Sequence, residues 1–135
     1  MEMTTEEITL KPDRGPTIEF RGKLLAQTNF MTSEGEMFYD VWETPGGAYV
    51  ASSMLEHGDT GNQEWRADVV EPIYHTVQHP THEKVTVGRD GSESRIVHLG
   101  PEQTERDTGL MQRRVLDILD WRQGAKEMMR KKAGW

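Results

Sequence analysis

The chain contains no cysteine, which excludes disulfide frameworks, thiolate zinc fingers, iron–sulfur clusters and cysteine nucleophiles together. A reducing cytoplasm fits that composition. No apolar run approaches the ~18 residues of a membrane helix. The opening Met1-Glu2-Met3-Thr4-Thr5-Glu6-Glu7 is acidic, unlike the basic start of a secretory signal peptide. The expectation is a cytoplasmic protein with no membrane partner. Phosphate-binding glycine patterns of the Gly-x-x-x-x-Gly-Lys and Gly-x-Gly-x-x-Gly kinds are missing, as is a Gly-x-Ser-x-Gly elbow, so no catalytic residue is nominated by motif.

Positive charge is also scarce: 16 basic against 23 acidic side chains leave a net charge of −7. That balance repels nucleic acid unless the basic groups are segregated. They are. From Met111 to Trp135 seven basic residues face three acidic ones, giving +4 and leaving −11 on the remainder. Basic side chains near a helix C-terminus complement the macrodipole, so the asymmetry alone need not signal a ligand.

What is present suits one compact core: 135 residues, 34% hydrophobic, read as a single domain over 1–135. Ile8 and Leu10 alternate with polar neighbours before Pro12, Gly15 and Pro16 impose a turn, and Ile18, Phe20 and Leu24 resume a period of two with a bulge expected near Gly22. Met37 to Glu43 and Ala48 to Ser52 flank Thr44-Pro45-Gly46-Gly47, a hairpin in which Gly46 is placed to take positive φ. Trp65 to Val77 is ambiguous between short helix and strand because Pro72 interrupts its helical spacing. Lys84–Val87 and Arg95–Leu99 enclose Gly88 to Ser92 as a second hairpin. Residues 7–99 thus read as mainly β.

Gly100-Pro101-Glu102 reads as a helix entrance, and Met111, Val115, Ile118, Arg122, Ala125 and Met129 form an apolar stripe broken by Arg122, so a C-terminal helix is expected over 101–132. The fold class is α+β: an antiparallel meander of five or six strands with this helix packed on one face. Because Arg122 and Gly124 weaken the second half, the last turns are free to project, which makes Trp121, Arg122, Met128, Met129 and Trp135 the partner-binding candidates, although methionine at helical spacing is more often ordinary core.

Two other sets carry chemistry. His75, His79 and His82 with Glu83 resemble a zinc-hydrolase donor set, although Pro80 prevents one helical face from presenting them and Thr86 stands where a His-Glu-x-x-His helix needs its second histidine. Nucleic acid is the less favoured partner; in that alternative Arg113, Arg114, Arg130, Lys131 and Lys132 would be the phosphate contacts of a regulator, while the acidic body admits a DNA mimic. The hairpin aromatics Phe38, Tyr39, Trp42 and Tyr49 sit among Glu34, Glu36, Asp40 and Glu43, which opposes base stacking; carboxylates such as Asp40 read as solvated strand faces.

Three segments, Glu7-Ile8-Thr9-Leu10, Phe20-Arg21-Gly22-Lys23-Leu24-Leu25 and Tyr39-Asp40-Val41-Trp42-Glu43-Thr44-Pro45-Gly46-Gly47, are similar to the β-rich part of the bacterial EXLDI family, over residues 7–52. The Glu-x-Leu-Asp-Ile tag of that family corresponds here to Arg114-Val115-Leu116-Asp117-Ile118, with arginine in place of glutamate. The resemblance implies a bacterial origin and a regulatory or accessory role, and carries no catalytic residue or cofactor. The combined expectation is a non-catalytic accessory protein without cofactor that acts through a protein partner or through self-association as a homodimer. Hairpin aromatics and the terminal helix would form its contact surface.

Overall fold

The computed structural model describes residues 5–119 and 124–135. Within the stretch expected as one domain, backbone contacts separate two compact units: residues 1–72 with Thr108–Trp135, and Ile73–Asp107.

The first unit is built on five antiparallel strands in meander order, β1 (Glu6–Leu10), β2 (Ile18–Met31), β3 (Gly35–Glu43), β4 (Tyr49–His57) and β5 (Gln63–Val70). Two helices, α1 (Thr108–Leu119) and α2 (Ala125–Ala133), complete it. The ambiguous segment Trp65 to Val77 contains no helix: as far as Val70, which is buried, it pairs with β4, and after a break at 71–73 it continues as a separate strand over Tyr74–Val77. The β2–β3 register shifts between Leu24 and Ala26, so the bulged residue is Leu25, three positions beyond the expected one. Gly22 serves another purpose: a Cβ there would lie 2.9 Å from the Phe20 ring and 3.2 Å from Trp42 Cβ. The glycine lets the Phe20 ring lie edge-on to Trp42, centroids 5.4 Å apart.

The β3–β4 hairpin forms as expected, with one difference. Gly47 donates its N–H to the Thr44 carbonyl at 3.0 Å and is itself the residue with positive φ, +89°, while Gly46 is not. A type I turn followed by a left-handed glycine matches the right-handed strand twist better than the type II turn that Gly46 would have made.

Alternation along β3 buries Met37, Tyr39 and Val41 on one face, directly opposite Leu55, Ser53 and Ala51 of β4. That face carries the helices: Met111, Val115 and Leu119, spaced by four, are fully buried in α1, and Ala125, Met128 and Met129 are buried in α2. Each large apolar side chain removed from water there contributes roughly 1.5–3 kcal/mol. On the opposite face Val50 and Ser52 are buried as well, so β4 is covered on both sides. The sheet curls, and the β1–β2 connection reaches the far strand: Trp65 N–H donates to Asp13 Oδ2 at 2.9 Å, and Asp13 N–H donates to the Trp65 carbonyl at 3.1 Å.

The single helix expected over 101–132 is corrected twice: it is two helices, α1 and α2, with left-handed Gly124 before the second, and its start is not helical. Gln103–Arg106 is a strand, β9, because its backbone pairs with β6 (Tyr74–Val77) and so finds partners that a lone first helical turn lacks. These strands and a second ribbon, β7 (Pro80–Val87) with β8 (Glu93–Leu99), make up the second unit. Its tip repeats the Gly47 solution: Gly91 has φ +82° and donates to the Gly88 carbonyl at 3.0 Å. Every residue of β7 and β8 is exposed.

Candidate functional site

The local sequence that buries Met111, Val115 and Leu119 also sorts the rest of α1. Gly109, Gln112, Arg113 and Leu116, at i, i+3, i+4 and i+7, share a flank beside the buried stripe. Helix α2 begins after Gly124, whose φ of +104° turns the chain, and it places Lys126, Glu127 and Arg130 on its exposed side. At its far end Gly134, with φ +73°, reverses the backbone, and Trp135 N–H donates to the Met129 carbonyl at 3.4 Å. That reversal lays the Trp135 ring against Tyr49, with centroids 5.1 Å apart.

The result is a groove of about 300 Å³ with Leu116, Met129 and Trp135 as its apolar lining and Arg113, Lys126 and Arg130 around it. Glu127 is the only acidic side chain among the described lining residues, and it accepts a hydrogen bond from Arg130 at 3.3 Å. Both members of that pair are largely exposed, so it holds Arg130 weakly. Arg113 from α1 and Lys126 from α2 have no ion-pair partner among the described residues. Chemically, the groove offers an apolar contact flanked by cations from two different helices.

Sequence-nominated residues meet this geometry unevenly. Trp135 lines the groove, half-buried. Met128 and Met129 do not project toward a partner: both are buried in their own unit, since α2 packs on β2 and Gly124 bends the chain back onto Phe30. Trp121 and Arg122 lie outside the described residues. Of the phosphate-contact set, Arg113 and Arg130 line the groove, whereas Arg114, Lys131 and Lys132 are exposed and do not line it. The hairpin aromatics do not form a contact surface. Tyr39, Trp42 and Tyr49 are buried and Phe38 is half-buried, because alternation and the curl of the sheet turn them inward.

The histidines are not brought together as a zinc donor set, and among the described residues no group of three or more His, Asp or Glu is placed to hold a metal ion. Each ring is engaged separately by the ribbon that carries it. His75 Nδ1 lies 3.0 Å from Asp107 Oδ2, His79 pairs with Glu105, and His82 stacks on its cross-strand partner His98 with centroids 4.1 Å apart. Glu83, the expected base, accepts from Arg95 at 3.0 Å.

No family model, curated protein or solved structure matches the chain.

Two other places carry ionisable side chains. A larger cleft of about 790 Å³ runs along β5, where Asp13, Glu64, Asp68 and Asp117 outnumber Arg14 and Arg66, so its lining is acidic on balance but interrupted by cations. On the sheet face away from the helices, burial raises the pKa of Asp40 above 3.8, with a hydrogen bond from Gln27 opposing the shift. The sequence reading of Asp40 as solvated is thereby corrected. The groove residues that sequence reasoning passed over are Gln112, Leu116 and Lys126. For Gln112 and Leu116 the signal is the second i, i+3, i+4, i+7 set on α1, beside the more conspicuous apolar stripe; Lys126, on α2, has no such mark.

Proposed function

We propose that the chain is a small, non-catalytic accessory or regulatory module that binds another protein through the groove between α1 and α2. One observation carries the reading. The expected partner-binding residue Trp135 and two of the expected cationic contacts, Arg113 and Arg130, converge on one apolar-lined groove with Leu116. Tryptophan and arginine are the residue types that dominate binding energy at protein interfaces, especially where an apolar pocket excludes water. Placing the lining on two helices and a capped chain end keeps it preorganised, which lowers the entropic cost of association. Among the described residues no helix is long and apolar enough to cross a membrane, consistent with an aqueous partner.

The test is site-specific photo-cross-linking. A photoreactive amino acid at Gln112 should yield a discrete protein adduct in lysate of the native host, and Leu116→Asp should abolish it while circular dichroism stays unchanged. The same probe at Arg89, on the β7–β8 tip, is the control. An adduct pattern identical at both positions, or no adduct at Gln112, removes the reading.

A further inference from the structure

We infer that the segment captured by this groove is acidic and carries a single large apolar side chain as its anchor. The inference rests on the protein-binding reading above and names the chemistry of the partner.

Size comes first. About 300 Å³ stands at the bottom of the range of ligand pockets, which runs from about 300 to 1,000 Å³. A groove this small admits an anchoring side chain, not a broad apolar helix face. Leu116 and Trp135 supply the surface it meets, and the fully buried Met129 closes the lining behind them. The ring contact between Trp135 and Tyr49 places this wall of the groove in position.

Charge then decides what flanks the anchor. Arg113 stands on α1, and Lys126 and Arg130 stand on α2, so cations border the groove from both helices. Glu127 offsets part of this and is already engaged by Arg130. Covering the groove with a neutral or basic segment would strip water from Arg113 and Lys126 without giving them a counter-charge, which opposes binding. Carboxylates on either side of the anchor remove that penalty and steer the encounter. The sorting of charge along the chain supports the same sign, because +4 is concentrated from Met111 onward in a protein whose net charge is −7.

The experiment uses the full chain and a peptide in which one phenylalanine is flanked on each side by two glutamates. Amide and indole chemical shifts in nitrogen-edited spectra report the contact. The expected result is saturable shifts confined to the groove, at Gln112, Leu116, Lys126 and the Trp135 indole. Affinity should weaken at least ~10-fold when the phenylalanine becomes alanine, and similarly in Arg113→Glu/Lys126→Glu. That double variant should gain affinity for the peptide whose glutamates are replaced by lysines. Equal binding of the acidic and lysine peptides to the unmodified chain overturns the inference while leaving a protein-binding groove. Groove shifts produced by decanoate and by neither peptide overturn it in favour of a small amphiphile. If no peptide binds yet the Gln112 probe still captures a protein, the partner chemistry is wrong and the functional reading survives. If both fail, the functional reading fails with it.

Discussion

Trp135 packs on Tyr49 with ring centroids 5.1 Å apart and an interplanar angle of 52°, so the residue after the α2 cap is tied to the first residue of β4. Tyr49 is buried and Trp135 half-buried, which makes the contact both part of the core and one wall of the groove. Replacing Trp135 with alanine should cost about 1–2 kcal/mol, less than a fully buried tryptophan would. Trp135→Phe should retain most of the stability. Urea denaturation followed by circular dichroism checks both, and an alanine variant as stable as the parent would show that the ring contact is incidental.

A second prediction contrasts two glycines with positive φ. At Gly35, φ +149°, a Cβ would stand 1.9 Å from the Glu56 carbonyl oxygen and 2.9 Å from the Gly58 nitrogen, both backbone atoms that cannot swing aside. Gly35→Ala should therefore destabilise by about 3 kcal/mol or more, or prevent folding. At Gly61, φ +73°, nothing lies within 4 Å of the added carbon. Gly61→Ala should cost only the left-handed backbone penalty, about 1–2 kcal/mol. Equal losses in the two variants would contradict the steric account.

The third concerns Asp40, whose carboxyl is raised above 3.8 by burial while a hydrogen bond from Gln27 works the other way. A carboxyl with a raised folded-state pKa holds its proton more tightly in the folded chain than in the unfolded one. Stability from this group therefore falls as pH rises through 3.8 toward the raised value, and the penalty is complete above it. Asp40→Asn should stabilise the protein at neutral pH by about 0.5 kcal/mol, a small gain because the site is only half-buried. The advantage should vanish below pH 3.8. Denaturant midpoints for both proteins across that pH range provide the comparison, and a variant less stable at neutral pH would reverse the sign.

The meander and its central hairpin are legible in the sequence because local signals agree there: Pro45 and two glycines interrupt runs of aromatic and β-branched residues. Which glycine takes positive φ is not legible, since Gly46 and Gly47 are chemically identical and the strand register chooses between them. Ala48 to Ser53 shows no alternation because β4 is buried on both faces, a property of what packs around it.

Non-local pairing accounts for the larger departures. Gln103–Arg106 carries no local mark separating it from a helix start, and only its ladder with Tyr74–Val77 makes it a strand. His75, His79 and His82 are close in sequence, yet each is engaged by a different group once the chain is paired into ribbons. For the groove, Arg113, Arg130 and Trp135 are conspicuous individually. Leu116 and Lys126 acquire meaning only when α2 lies beside α1, which the sequence from Asp120 to Gly124 does not announce.

The Asp13 clasp on β5 has a bearing on how copies of this chain coexist at high concentration. A main-chain donor and acceptor on the outer rim of the fifth strand are both occupied by Asp13. An extended segment arriving there would find a rung of its ladder already taken. At Trp65, then, the rim of β5 is closed to a newcomer by a single turn residue of the same chain.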